Sequence, residues 1–205
     1  MSSISSVILG TPDPEAAERF YANAFDLGDR VGVRASDEAT SGFRGFTLSL
    51  IAAQPSNVDA LVDAALAAGG TTLKPVAKSL WGYGGLISAP DGAIWNIATS
   101  AKKNAEPASR SIEHVVLLLG ATDVKASKEF YVDRGFTVVK GFGNGYVEFA
   151  PSGRINLGLY RRRSLAKSAG VPDDGTGSHR LTIVGDAAAA ADPDGFQWES
   201  AAATA

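Results

Sequence analysis

The feature that most constrains the fold of this chain is an internal repeat. Residues 4–21, ISSVILGTPDPEAAERFY, recur as residues 112–131, IEHVVLLLGATDVKASKEFY, each with an apolar strand, a glycine, an aspartate, a helical segment and a Phe-Tyr pair. Asp13 and Asp123 stand where the N-cap of that helix is expected. The repeat predicts a fold built from two related halves.

A second echo closes each half of the chain. APDGAIWNIATS in the first half and DPDGFQWESAA in the second each place a Pro-Asp-Gly turn before an apolar strand. Between the halves lies TSAKKNAEPASRS, a polar stretch without apolar periodicity, which is typical of a linker. We predict a first repeat over residues 1–100, a linker over residues 101–111 and a second repeat over residues 112–205.

The two halves are unequal. The first half has a short opening unit and then a complete βαβββ unit, whose helix is predicted over NVDALVDAALAAGG from apolar residues at helical spacing and a Gly-Gly stop. The second half has its complete unit first, and its closing unit shrinks to SHRLTIVG, a few alanines and GFQWESA. Each half therefore has one complete and one truncated unit, which predicts an α+β fold.

Composition restricts the chemistry that the chain can perform. It contains no cysteine, which excludes thiolate nucleophiles, disulfides, iron–sulfur clusters and cysteine-bound zinc. The net charge of −3 gives no basic surface for nucleic acid. No segment approaches the roughly 20 apolar residues that span a bilayer, and no signal peptide is recognisable. We expect a cytoplasmic protein with a small-molecule partner.

Together, these motifs resemble the vicinal oxygen chelate superfamily, which includes glyoxalases, extradiol dioxygenases, fosfomycin-resistance transferases and bleomycin-binding proteins. The resemblance rests on the strand, Asp, helix and Phe-Tyr openings, on residues 74–96 and on residues 192–199. It implies that βαβββ units pair into a cup whose centre is formed by the first and last strands of each unit. We expect a monomer in which the repeats pack on each other, with a homodimer as the alternative.

The resemblance also implies a metal site, because the family's metal ligands lie on the first and last strands of its units. In the second half these positions are His114, His179 and Glu199, a two-histidine, one-carboxylate set that suits manganese, iron, zinc or nickel. The fourth position is Gly158, which has no side chain to bind an ion. The corresponding positions of the first half contain no such set.

Two arrangements would break this ligand set. A one-residue slip of the closing strand would turn Glu199 to the opposite face of the sheet. Pairing of the two complete units with each other would separate His114 from His179 and Glu199. The sequence leaves both arrangements open.

Three aromatic residues are candidate substrate contacts. Trp81 and Tyr83 stand between glycines in a strand-joining segment, a setting in which aromatic side chains often line binding sites. Tyr160 is the third candidate. Trp95 and Trp198 precede Asn96 and Glu199, so strand alternation predicts that they point into the core.

The features combine into two functional hypotheses. The first is a metal-dependent enzyme of the glyoxalase or dioxygenase kind, in which the ion acts as a Lewis acid on a small oxygen-bearing organic molecule. The alternative is a metal-free protein that sequesters a small planar or antibiotic-like compound, as bleomycin-binding relatives do. A third possibility is a decayed site that leaves only a surface for partners. The sequence identifies no general base.

Overall fold

The structure is a computed structural model that describes residues 2–80 and 82–201. In chain order the elements are β1 (Ile4–Thr11), α1 (Pro14–Ala24), β2 (Val31–Ala35), β3 (Thr40–Gly42), β4 (Phe46–Ile51), α2 (Pro55–Ala67), β5 (Thr71–Ser79), β6 (Gly82–Ser88), β7 (Ile94–Thr99), β8 (His114–Ala121), α3 (Val124–Asp133), β9 (Val138–Phe142), β10 (Tyr146–Phe149), β11 (Asn156–Arg161), α4 (Arg162–Ala169), β12 (Gly175–Gly177), β13 (Leu181–Gly185), β14 (Ala190–Ala191) and β15 (Gln197–Ser200). Within the described ranges, no helix has both the length and the apolar character that crossing a membrane requires.

Two main sheets organise these elements, and each takes strands from both halves of the chain. The eight-stranded sheet has the order β5-β6-β7-β4-β8-β11-β10-β9, and the five-stranded sheet has the order β14-β15-β13-β1-β2. The halves meet where β4 runs antiparallel to β8 and where β1 runs antiparallel to β13. The two complete units therefore pair with each other, and the two truncated units do the same.

Aspartate caps begin the two helices that the repeat predicts. Oδ1 of Asp13 accepts a 2.9 Å hydrogen bond from the backbone N–H of Ala16, at the start of α1. Oδ1 of Asp123 accepts a 2.9 Å hydrogen bond from the N–H of Lys125, at the start of α3. Each cap satisfies a backbone donor that has no partner inside the helix, which stabilises a helix start by about 1 kcal/mol. The predicted caps are confirmed.

Strand alternation gives the eight-stranded sheet two different faces. Leu48, Leu50 and Leu117 are buried in the main core, together with apolar side chains of α2. Ser49 and Val116 alternate with these residues and therefore point to the opposite side. We call the side away from the main core the inner face of the sheet.

The repeated Phe-Tyr and Pro-Asp-Gly motifs meet in the structure. The hydroxyl of Tyr21 donates a 2.8 Å hydrogen bond to Oδ2 of Asp91, and that of Tyr131 donates a 2.8 Å hydrogen bond to Oδ2 of Asp192. Each tyrosine ring also lies against the tryptophan that follows its turn, with ring centroids 5.6 and 5.9 Å apart. In each half, the recurring residues thus attach the opening helix to the closing strand.

Residues 101–111, expected to form a linker, contain no helix or strand but are fixed to the start of α2. Oε1 of Gln54 accepts hydrogen bonds of 2.7 and 2.9 Å from the backbone N–H groups of Ala105 and Glu106. Oδ1 of Asn57 accepts another, of 2.9 Å, from the N–H of Ser109. Both side chains are buried, so these contacts hold the segment between β7 and β8 in one path.

Candidate functional site

Helix α4 and the loop after it lie on the inner face of the eight-stranded sheet. The helix contacts β4, β8 and β11. Its buried residues Leu165, Ala166 and Ala169 form a small second core with Phe43 and Ile94. The chain itself therefore covers part of this inner face.

The side chain of Lys74, on edge strand β5, extends over the inner face to the end of α4. The ammonium of Lys74 donates a 2.5 Å hydrogen bond to the carbonyl of Ser168 and a 3.4 Å bond to that of Lys167. Carbonyl groups in the last turn of a helix lack intrahelical partners, and a cation there is favoured by the helix dipole. Lys74 thus holds the C-terminal end of α4 against the sheet.

A cavity of about 330 Å³ remains beside α4 and the loop that follows it. Most of its wall is apolar, and the polar side chains in it are few. It is lined by Gly42, Phe43, Arg44, Phe46, Leu73, Ser88, Gly92, Ala93, Ile94, Val171, Pro172 and Asp174. Its size and character are typical of pockets that bind small organic molecules.

Arg44 connects this cavity wall to the five-stranded sheet. Its Nε donates a 2.8 Å hydrogen bond to the carbonyl of His179, Nη1 donates a 3.1 Å bond to that of Asp91, and Nη2 donates a 2.5 Å bond to that of Arg180. Burial lowers the pKa of the Arg44 guanidinium from its usual value, and the nearby Asp91 opposes that shift. Each guanidinium nitrogen is already bonded to a backbone carbonyl, so Arg44 serves as a structural clamp.

The five-stranded sheet also has an inner face, on the side of its strands away from the main core. This face is wider and more polar than that of the eight-stranded sheet. A cavity of about 890 Å³ lies there, and its lining includes Arg34, Glu38, Thr182 and Gln197. Arg34 on β2 reaches over β1 and β13 to Glu199 on β15, where Nη1 and Nη2 bond the two carboxylate oxygens at 2.7 and 3.0 Å. The hydrogen bonds from Arg34 lower the pKa of the Glu199 carboxyl from its usual value.

The residues expected to bind a metal are distributed over the two sheets. His114 begins β8 in the eight-stranded sheet, where it is exposed and pairs with Ile51. His179 lies two residues before β13 of the five-stranded sheet, and Glu199 belongs to β15. These residues are separated because the two complete units pair with each other. That pairing places β8 and β13, the first strands of the two units in the second half, in different sheets.

The donor groups of this set do not fit a metal ion. Nδ1 of His179 lies 2.6 Å from the carbonyl oxygen of Arg44, and Nε2 lies 2.9 Å from that of Asp194. Neither ring nitrogen is therefore directed at an open coordination position, and both oxygens of Glu199 are held by Arg34. Among residues 2–80 and 82–201, no three His, Asp or Glu side chains are grouped so that they could hold an ion.

The arrangement of paired units matches solved structures along almost the whole chain. Glyoxalase I from Zea mays covers 98% of this chain and 92% of its own, with a TM-score of 0.62 at 11% sequence identity. The chain has the vicinal oxygen chelate fold. A Bacillus subtilis subsp. subtilis str. 168 protein named as a dioxygenase covers 94% of this chain and 71% of its own, with a TM-score of 0.55 at 12% identity. Neither a family sequence model nor a curated protein sequence matches the chain.

Within the vicinal oxygen chelate fold, the aromatic candidates occupy different places. Trp81 lies outside the described residues. The hydroxyl of Tyr83 donates a 2.7 Å hydrogen bond to Oδ1 of Asp59 on α2, so this side chain lies on the helix-covered face, away from the cavity. Tyr160 lies on the inner face of β11, with its ring centroid 4.7 Å from that of Tyr146.

Sequence reasoning missed the part that α4 plays at this site. The segment RRRSLAKSA, residues 161–169, contains α4 and has the pattern of a basic run followed by small residues. The signal was the spacing of Leu165, Ala166 and Ala169, which places all three on one side of a short helix. Their burial against Phe43 and Ile94 fixes α4 on the sheet, and the loop that follows the helix then contributes Val171, Pro172 and Asp174 to the cavity lining.

Proposed function

We propose that this protein binds a small, mainly apolar organic molecule in the cavity beside α4, without a bound metal ion. The observation that carries the proposal is the cavity of about 330 Å³ on the inner face, between the complete unit of the first half and the loop after α4. Pockets of this size with few polar groups are the usual form of a small-molecule site. This is the metal-free alternative among the functions predicted from the sequence.

The side chains that line the cavity favour a planar ligand with one hydrogen-bond donor. Phe43 and Phe46 offer aromatic surface, and Ile94 and Val171 offer aliphatic surface. Asp174 is exposed at the lining and can accept a hydrogen bond from a ligand hydroxyl or amine. A flat aromatic alcohol therefore has both the shape and the donor that this wall accommodates.

The metal-dependent enzyme implied by the resemblance is less well supported by the side-chain contacts. That function requires His114, His179 and Glu199 to hold one ion, whereas two of them already have other partners. The enzyme names found among similar structures belong to proteins that are 11% and 12% identical to this chain, so these matches support a common fold and carry no argument for a common activity.

Titration of the full chain with 2-naphthol, followed by calorimetry, tests this function. Val171→Trp fills the cavity, and we expect it to weaken binding by about tenfold or more, because the ligand then loses its space. Val132→Trp places the same side chain on the surface of α3, where Val132 is 45% exposed, and should leave binding unchanged. Equal affinities of the two variants would contradict the cavity as the site. Loss of binding after treatment with EDTA would contradict the metal-free function.

A further inference from the structure

A second group of side chains lies on the inner face of strands β9, β10 and β11. Tyr146 pairs with Tyr160 on one side and with Phe142 on the other, and Glu148 pairs with Lys140. Residues paired directly across strands point to the same face. We call this group the β9–β11 face, and it consists of Lys140, Phe142, Tyr146, Glu148 and Tyr160.

The β9–β11 face presents a row of three aromatic rings. The rings of Phe142 and Tyr146 are stacked at 22°, with centroids 6.3 Å apart. The centroids of Tyr146 and Tyr160 are 4.7 Å apart. Phe142 is 64% exposed, so the end of this row faces solvent. Aromatic faces carry negative electrostatic potential, which attracts cations.

Glu148 adds a carboxylate that no described basic side chain neutralises. Its Oε2 accepts a 3.1 Å hydrogen bond from the hydroxyl of Tyr146. In the part of the chain that the structure describes, it forms no ion pair with a lysine or arginine. Burial and the charge of Glu148 together raise the pKa values of Tyr146 and Tyr160, which keeps both phenols neutral.

Lys140 shows that this face accepts a cation on an aromatic ring. It lies directly opposite Glu148 in the strand register, where an ion pair between them could form. Its Nζ instead lies 5.4 Å from the centroid of the Phe142 ring. The negative charge of Glu148 therefore remains available beside the rings.

We propose that the β9–β11 face binds an organic cation, a substituted ammonium group whose charge is stabilised by Glu148 and by the rings of Tyr146 and Tyr160. A methylated ammonium suits this chemistry, since it spreads its charge over apolar surface that can contact aromatic faces. The site is independent of the cavity beside α4, because none of the residues lining that cavity comes from β8–β11.

Choline and 3,3-dimethylbutan-1-ol form a matched pair of probes, since they share a shape and differ in charge. Nuclear magnetic resonance titration of the full chain at constant ionic strength should show choline binding about tenfold more tightly than the neutral alcohol. The amide signals of Tyr146, Gly158 and Tyr160 should move with choline. Equal affinities, or no shift of these signals, would overturn the proposal.

Two variants separate the charge from the rings, and a third serves as the control. Glu148→Gln keeps the size of the side chain, and we expect about a fivefold or greater loss of choline affinity with little change for the alcohol. Glu129→Gln on the surface of α3 removes the same charge elsewhere and should have no effect. Tyr160→Leu should weaken choline binding while keeping an apolar side chain. Unchanged choline affinity in Glu148→Gln would contradict the site, even if the cavity beside α4 binds 2-naphthol.

Discussion

The hydroxyl of Tyr131 donates a 2.8 Å hydrogen bond to Oδ2 of Asp192, and both side chains are buried. Oδ1 of the same carboxylate accepts two backbone hydrogen bonds, each of 2.9 Å, from Asp194 and Phe196. The hydroxyl is therefore the donor that satisfies the second oxygen. The contact holds α3 against the closing turn of the second half.

Removing this hydroxyl should destabilise the protein. In Tyr131→Phe, Oδ2 of Asp192 stays buried without that donor, so we expect the free energy of unfolding to fall by about 1–3 kcal/mol. Urea denaturation measures it. Tyr83→Phe is the matched control, because the hydroxyl of Tyr83 bonds to Asp59 at the surface; its effect should stay below about 1 kcal/mol. Equal losses of unfolding free energy in the two variants would show that the buried hydrogen bond stabilises the protein no more than the exposed one.

The carboxyl of Asp192 should make stability depend on pH. Burial raises its pKa above the usual 3.8, although hydrogen bonds from Phe196 and Tyr131 oppose this shift. A carboxyl that binds its proton more tightly when folded contributes stability below its unfolded pKa, and that stability is lost as pH rises through the folded pKa. Wild type should therefore gain stability relative to Asp192→Asn as the pH falls from about 7 to about 4. Parallel urea titrations across this range measure the difference, and a gap that does not change with pH would contradict it.

Replacing Arg44 should loosen the contact between the two sheets. Arg44→Met leaves the carbonyls of His179, Arg180 and Asp91 without their shared donor, and we expect a loss of about 3 kcal/mol in the free energy of unfolding. Arg44→Lys should recover only part of it, because an ammonium lacks the planar fork. Arg34→Lys is the comparison: its ion pair is half exposed and should matter by less than about 1 kcal/mol. A larger loss for Arg34→Lys would reverse this ranking.

Divalent metal ions should not stabilise the protein. A ligand that binds only the folded state raises the melting temperature, whereas the expected metal ligands are dispersed or already bonded to other groups. Manganese, iron, zinc and nickel should each leave the melting temperature of untagged protein unchanged. A rise that disappears in His179→Gln would contradict this and would support the metal site expected from the sequence.

Local features of the fold could be predicted from sequence because they depend on neighbouring residues. The caps at Asp13 and Asp123 follow from helix-end chemistry. Alternation correctly placed Trp95 and Trp198 in the core, where they are 0% and 3% exposed. Glu199 consequently lies on the opposite face from Trp198, as alternation requires.

The remainder depends on contacts between residues far apart in the chain, which local patterns do not encode. The sequences of β4 and β8 do not specify that these two strands pair with each other rather than with a strand of another unit. Both strands are apolar, and an apolar face can pack beside any other apolar strand. The bidentate contact of Arg34 with Glu199 arises only once β2 and β15 flank the same two strands. The pairing of the units therefore decides which site residues can meet.

The pairing of β1 with β13 also has a consequence for synthesis of the chain. Ser5 and Val184, which are joined by a 3.1 Å hydrogen bond, are 179 residues apart. A nascent polypeptide that has emerged only as far as Ser111 contains β2 and β7 but lacks β13 and β8, so one edge of β1 and one edge of β4 stay open on the ribosome. Such edges are prone to pair with other chains. The five-stranded sheet should therefore close only after β13 has been synthesised, and until then the open edge of β1 is exposed to pairing with other chains.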